Sequence, residues 1–150
     1  MSTTRWLDEH EQRAWRGYLA MSTRLAARMN RDLQAGSGLS LPDYDVLVQL
    51  TDRPGGRARA GELAESLQWE RSRLSHHITR MRKRGLVSRE EVEGDARGAY
   101  IVLTEEGRRA IGEAAPAHAA GIRDVFFDHC TREQVETLNA IADTVLARLR

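Results

Sequence analysis

The 150-residue chain contains a single cysteine, Cys130, so it has no internal disulfide. That removes the small disulfide-stapled secreted scaffolds and makes a reducing compartment, the cytoplasm, the expected location. The chain also lacks anything near the ~20 consecutive apolar residues of a membrane-spanning helix. Residues 1–11 have charges where a signal peptide has its apolar centre, so neither spanning nor export is expected. Aromatic residues make up only 5% of the chain and proline occurs three times, which leaves long stretches free for helices. Lysine is nearly missing: apart from Lys83, all 23 basic residues are arginine. The 22 acids bring the net charge to +1, which excludes a bulk polycation, so any affinity for nucleic acid has to come from local clustering. There is no phosphate-cradling glycine loop, zinc-protease motif or nucleophile elbow, and no enzyme is expected.

What is present is helical periodicity. Trp15, Tyr18, Leu19, Ser22, Leu25, Ala26, Met29 and Leu33 recur at three- and four-residue steps, which predicts a long first helix from about Leu7, ending at Gly36-Ser37-Gly38. Ser40, with Pro42 and Asp43 behind it, has the form of a capping box for a second helix that buries Tyr44, Leu47, Val48 and Leu50. Asp52 to Gly56 reads as a loop, and Gly61 to Leu67 as a short helix. Leu74, Ile78 and Met81 place the next segment on a helix that Gly85 ends. Leu86 to Val92 and Ala99 to Leu103 read as strands of a hairpin joined by residues 93–98. Thr104 caps a further helix through Ile111, Ala115, Ala119, Ile122 and Phe126, with a kink expected at Pro116. Thr131 and Gln134 form another capping box, for a last helix carrying Val135, Leu138, Ile141, Val145 and Leu149 to the chain end.

The near-neutral total conceals one strong local excess. Between Arg71 and Arg89 there are seven basic residues and no acid. With Leu74 as zero and 100° per residue, Ile78 and Met81 fall within ~40° of it, whereas Ser72, Arg73, His76, Thr79, Arg80 and Lys83 lie at roughly 140° to 260°. A merely solvated helix face usually mixes charge signs to form i,i+4 pairs, and this one does not. His76 and His77 point ~100° apart, one outward and one toward the packed side, which suits recognition better than catalysis. A short helix, a turn at Gln68-Trp69-Glu70, a basic helix and a hairpin make a winged helix-turn-helix, whose second helix enters the major groove. Arg97, between glycines at the expected hairpin tip, is placed for a minor groove.

Several motifs together resemble the multiple-antibiotic-resistance regulator (MarR) family. They are Glu62 to Leu67, the run from Arg71 to Arg84, Arg84-Gly85-Leu86-Val87, and Asp95-Ala96-Arg97-Gly98 leading into Ile101 to Gly107. The resemblance implies a mainly α fold with a small β-hairpin wing. It makes residues 1–150 one domain, with dimerisation helices at 1–38 and 105–150 around a winged helix at 39–104. It also implies a homodimeric bacterial transcription regulator, commonly a repressor released by a small anionic or phenolic ligand. The residues expected at double-stranded DNA are Arg71, Ser72, Arg73, Ser75, His76, Thr79, Arg80, Lys83 and Arg97, and Asp95 is implied as the partner that orients the wing. Family sequences often have Gly, an aliphatic residue and then a cap where this chain has Gln68, Trp69 and Glu70. Trp69 reads as packing beside the turn.

Amphipathic helices at both chain ends are longer than one winged domain can cover, so a second copy is expected to bury them. Val125, Phe126, Leu138, Val145, Leu146 and Leu149 are the interface candidates. A two-fold dimer sets its two recognition helices about 34 to 36 Å apart, matching a pseudo-palindromic operator. The competing reading is a winged helix that serves as a protein interaction module, without specific DNA binding. Trp15, Tyr18 and Tyr44 either line a ligand cleft or belong to the core, and aromatic residues at helical spacing are more often core. His118, Asp128, His129 and Cys130 are metal-ligand types without a recognised zinc spacing, so neither metal nor cofactor is expected. Cys130 stands before a helix cap, where a thiol can be activated, though lone cysteines are usually buried and inert.

Overall fold

The computed structural model describes residues 3–150, with residues 95–97 described by backbone alone. Helix α1 (Glu9–Ser37) starts two residues later than the periodicity implied, because Asp8 caps it: the Asp8 carboxylate accepts from the Glu11 N–H, and the Glu11 side chain accepts from the Asp8 N–H. It ends at Gly38, as expected. Helix α2 (Leu41–Thr51) opens on the Ser40/Asp43 capping box, with both reciprocal bonds made.

Then comes a short strand that the sequence reading lacked, β1 (Arg57–Arg59), which runs into α3 (Ala60–Leu67) and, after a turn, α4 (Arg71–Lys83). Three residues alternating exposed, buried and exposed give too little pattern to see, and β1 exists because the edge of a distant strand completes its hydrogen bonds. Strands β2 (Val87–Val92) and β3 (Asp95–Leu103) form the hairpin, and the antiparallel sheet runs β1-β3-β2. Its turn is tighter than expected. Only Glu93 and Gly94 stand between the strands, with Gly94 at φ 81°, a conformation costly for any other residue type, and the segment read as the rest of a loop is already strand. Arg97 therefore lies within β3, not at the tip.

Helix α5 (Glu105–Val125), capped by Thr104, passes through Pro116 without a break, and α6 (Arg132–Leu146) opens on the Thr131/Gln134 capping box. It stops at Leu146, so Leu149 stands beyond its end. One core joins the base of α1 to the centre of the chain: Leu33, Leu39, Val46, Leu47, Leu50, Leu63, Leu74, Ile78, Met81, Ile101 and Leu103 are buried together. By contrast α6 buries no residue at all.

Gly107 marks the tightest approach in this core. A Cβ built there falls inside van der Waals contact of the Leu86 carbonyl, a backbone atom that cannot swing aside, with Leu103 close behind. Only glycine lets α5 start against the strand end. Gly107→Ala is expected to destabilise the fold by an amount in the upper part of the about 1–3 kcal/mol typical of overpacking, read by denaturant unfolding.

Candidate nucleic-acid interface

Helix α4 divides as its spacing predicted. Leu74, His77, Ile78 and Met81 are buried, whereas Arg71, Ser72, Arg73, Ser75, His76, Thr79, Arg80, Arg82 and Lys83 are exposed. The two adjacent histidines part company, His77 inward and His76 to solvent. The helix is presented by a turn in which Gln68 takes the left-handed conformation at φ 55°, and its side-chain Nε2 donates to the Glu65 carbonyl. Glu70 is the N-cap residue but makes no side-chain capping bond, so α4 starts at Arg71 and is held mainly by its packed face.

Among the described residues, none of Arg71, Arg73, Arg80, Arg82 and Lys83 pairs with a carboxylate, although Arg5, Arg28, Arg53, Arg57, Arg84, Arg89, Arg109, Arg123 and Arg132 all do. The cations of α4 are thus exposed and uncompensated, the arrangement that releases counterions from a phosphate backbone. Arg71, Ser75, Thr79 and Arg82 face Arg89 and the N-terminus of α3 across a groove of about 160 Å³. The Thr79 hydroxyl donates back to the Ser75 carbonyl within the helix.

Two of the seven basic residues in the run behave differently from the rest. Arg89 pairs with Glu91 on its own strand. Arg84 turns inward: its Nη1 donates to Asp43 Oδ2 at 2.6 Å and its Nη2 to the Gly38 carbonyl at 2.9 Å, tying the end of α4 to α2 and to the end of α1. Burial by itself would push the Asp43 carboxyl up, but His77, the Ser40 N–H and Arg84 outweigh it and hold the group well below the usual carboxylate range. His77 Nε2 lies 2.8 Å from Asp43 Oδ1, a short contact that is not aligned as a hydrogen bond.

Beside the helix, the wing adds Arg57 and Arg59, whose guanidinium carbons lie 4.3 and 5.4 Å from the Tyr100 ring centre. These two arginines went unnoticed in the sequence because β1 did. The side chains of Asp95 and Arg97, expected to orient and extend the wing, lie outside the described residues. The three aromatic residues considered for a cleft do not come together as one group: Trp15 stacks on Tyr18 on an exposed part of α1, whereas Tyr44 lies against His118 of α5, 4.4 Å between ring centres. Burial lowers the His118 pKa from the usual histidine value, with Asp45 opposing that shift. Among the described residues no three ligand-type side chains converge as a metal site, and no helix is long and apolar enough to cross a membrane.

A helix-turn-helix with an exposed, uncompensated cationic second helix and a β-hairpin beside it defines a winged-helix DNA-binding regulator. The MarR family model matches residues 37–98. AbsC, a MarR family transcriptional regulator from Streptomyces coelicolor, is 40% identical over 98% of this chain and 99% of its own, with a TM-score of 0.90. Sco3205, a MarR family regulator of the same organism solved in complex with DNA, is 38% identical over 98% and 92% of the two chains, with a TM-score of 0.91. The transcriptional regulator HosA of Escherichia coli is 35% identical over 78 residues, 52% of this chain and 56% of HosA, little more than half the length of that curated relative. The chain belongs to the MarR family of transcriptional regulators.

Proposed function

We propose that residues 1–150 act as one unit, a cytoplasmic homodimer that binds a pseudo-palindromic operator and represses the genes beside it until a small anionic or phenolic ligand releases it. The observation that carries the DNA contact is the exposed α4 face, on which Arg71, Arg73, Arg80 and Lys83 stand without acidic partners among the described residues. In this reading α4 enters the major groove, Arg73 and Arg80 reach base edges, and Ser72, Ser75, His76 and Thr79 supply the shorter polar contacts. Arg97 enters the adjacent minor groove from the wing, with Asp95 orienting it. The relative solved with DNA supports the same use of the fold.

Repression then follows from occupancy, since a dimer seated across a promoter excludes polymerase. Release follows if a ligand favours a dimer whose two α4 helices are spaced wrongly for successive grooves. The unmixed cationic face argues against the alternative of a protein interaction module, because the buried centre of a protein-protein interface is depleted of charged residues.

Arg73→Ala or Arg80→Ala is expected to weaken operator binding by roughly 1–3 kcal/mol and to relax base preference at one position of each half-site. Arg97→Ala is expected to weaken binding across sequences and to reduce the salt slope by about one unit. Both are read by titrating labelled duplex over a range of salt. Unchanged affinity in the α4 variants removes α4 from the groove, and an unchanged slope in Arg97→Ala removes the wing.

A further inference from the structure

Two arginines of the α4 face do not project freely into solvent. The Arg73 guanidinium carbon lies 4.2 Å from the centre of the Trp69 ring. Trp69 in turn meets the His77 ring edge-on, 5.4 Å between centres. Arg80 Nη2 lies 3.1 Å from His77 Nδ1. His77 is therefore the shared support of both, and it is only 8% exposed, in a position where an apolar residue would pack without needing any partner.

The chemistry of its neighbours selects one form of the ring. A guanidinium has only N–H groups to offer, so the nitrogen facing Arg80 has to present its lone pair. A carboxylate only accepts, so at 2.8 Å even a contact off the hydrogen-bond line favours a hydrogen, not a lone pair, on the nitrogen facing Asp43. Both demands are met by the neutral tautomer with its hydrogen on Nε2. Turning the ring over would set N–H against N–H at Arg80 and lone pair against carboxylate at Asp43. Asp43 itself is fixed by the Ser40 N–H and by Arg84 at the end of α4.

We propose that His77 and Trp69 are positioning residues for DNA recognition: they hold Arg80 and Arg73 in reading orientation before DNA arrives, and Asp43 sets the His77 tautomer that makes this possible. The proposal deepens the DNA-binding reading above and rests on it. A long arginine side chain loses rotamer freedom when it grips a base, and one already held by a ring loses less on binding.

The test is a double-variant cycle on the duplex that the unaltered protein selects from a random pool, together with 15N NMR of the His77 ring in the free protein. His77→Leu is expected to weaken binding about five- to tenfold when Arg80 is present and less than twofold in an Arg80→Ala background. His77→Asn, whose Oδ1 can accept near the position of Nδ1, is expected to restore most of the loss. Trp69→Leu is expected to couple to Arg73→Ala in the same way. The ring spectrum is expected to show the hydrogen on Nε2 and a bare Nδ1. Equal losses in both backgrounds, or a hydrogen on Nδ1, overturn the positioning role. Should His77→Leu fail to fold, His77→Asn, the Trp69 cycle and the ring spectrum still decide it. Selection of no duplex at all overturns the DNA reading and this proposal with it, whereas selection without coupling overturns this proposal alone.

Discussion

Placing aspartate at both Leu138 and Val145 is expected to convert the proposed dimer into a monomer and to cost more than about 100-fold in operator affinity, since each chain then holds only one half-site and the gain from linked binding is lost. The reason lies in α6. None of its residues is buried within the chain, yet Leu138, Ile141, Val145 and Leu146 recur along it and stand exposed, Leu146 at 61%. A 15-residue helix alone in water is marginal, and a helix of that length is normally stabilised by burying an apolar face. Trp15, Tyr18 and Leu19 of α1 are likewise uncovered. An apolar surface of this extent on a charged chain fits a two-fold partner, in which the same patch covers itself. Burying a Leu or Val side chain stabilises by roughly 1.5–3 kcal/mol, and each substitution acts twice in a symmetric interface. Sedimentation of the variant and duplex titration read the two effects together. A variant that stays dimeric takes Leu138 and Val145 out of the interface, and a monomer with full affinity contradicts paired half-sites.

Asp43→Ala is expected to destabilise the fold by about 3 kcal/mol, near the low end of the cost of breaking a buried ion pair. It sits at the low end because Arg84, 44% exposed at its side chain, can turn to water, whereas the buried His77 loses its neighbour and α2 loses half of its capping box. The loss also depends on pH. The folded protein holds the Asp43 carboxyl below the usual range, against the opposing effect of burial, while the unfolded chain protonates it near pH ~4. The stability it supplies is therefore complete above that value and drains away as pH falls toward its folded pKa. Between about pH 4 and 2, unfolding of the native protein should become progressively easier, with a shallower slope in Asp43→Asn. Parallel slopes in the two proteins contradict an ionised Asp43 at the centre of this contact.

Where contacts are local, the sequence is an adequate guide. Ser40 with Asp43, Thr104, and Thr131 with Gln134 all act as caps within three residues, and each makes the bond its spacing implied. The exposed face of α4 was legible for the same reason, since helical period alone places Arg73 and Arg80 opposite Leu74. What escaped depends on residues distant in the chain. Asp43 was visible only as a capping acid, and its meeting with Arg84 spans 41 positions. Arg84 was counted with the cations of the run because nothing nearby shows that it turns inward. Strand β1 needs the register of Arg57 with Val102 to exist at all. Trp69 reads as packing, and its place beneath Arg73 depends on the left-handed turn at Gln68.

The most direct test of a dimeric, sequence-specific regulator is selection of binding sites from a random duplex pool by the purified protein, followed by titration of the winning sequence as salt is raised. The expected result is a pseudo-palindrome whose half-sites lie one helical turn apart, about 34 to 36 Å, with affinity that falls steeply with salt. A pool that emerges without an enriched sequence, or with one unpaired half-site bound at full affinity, would contradict it.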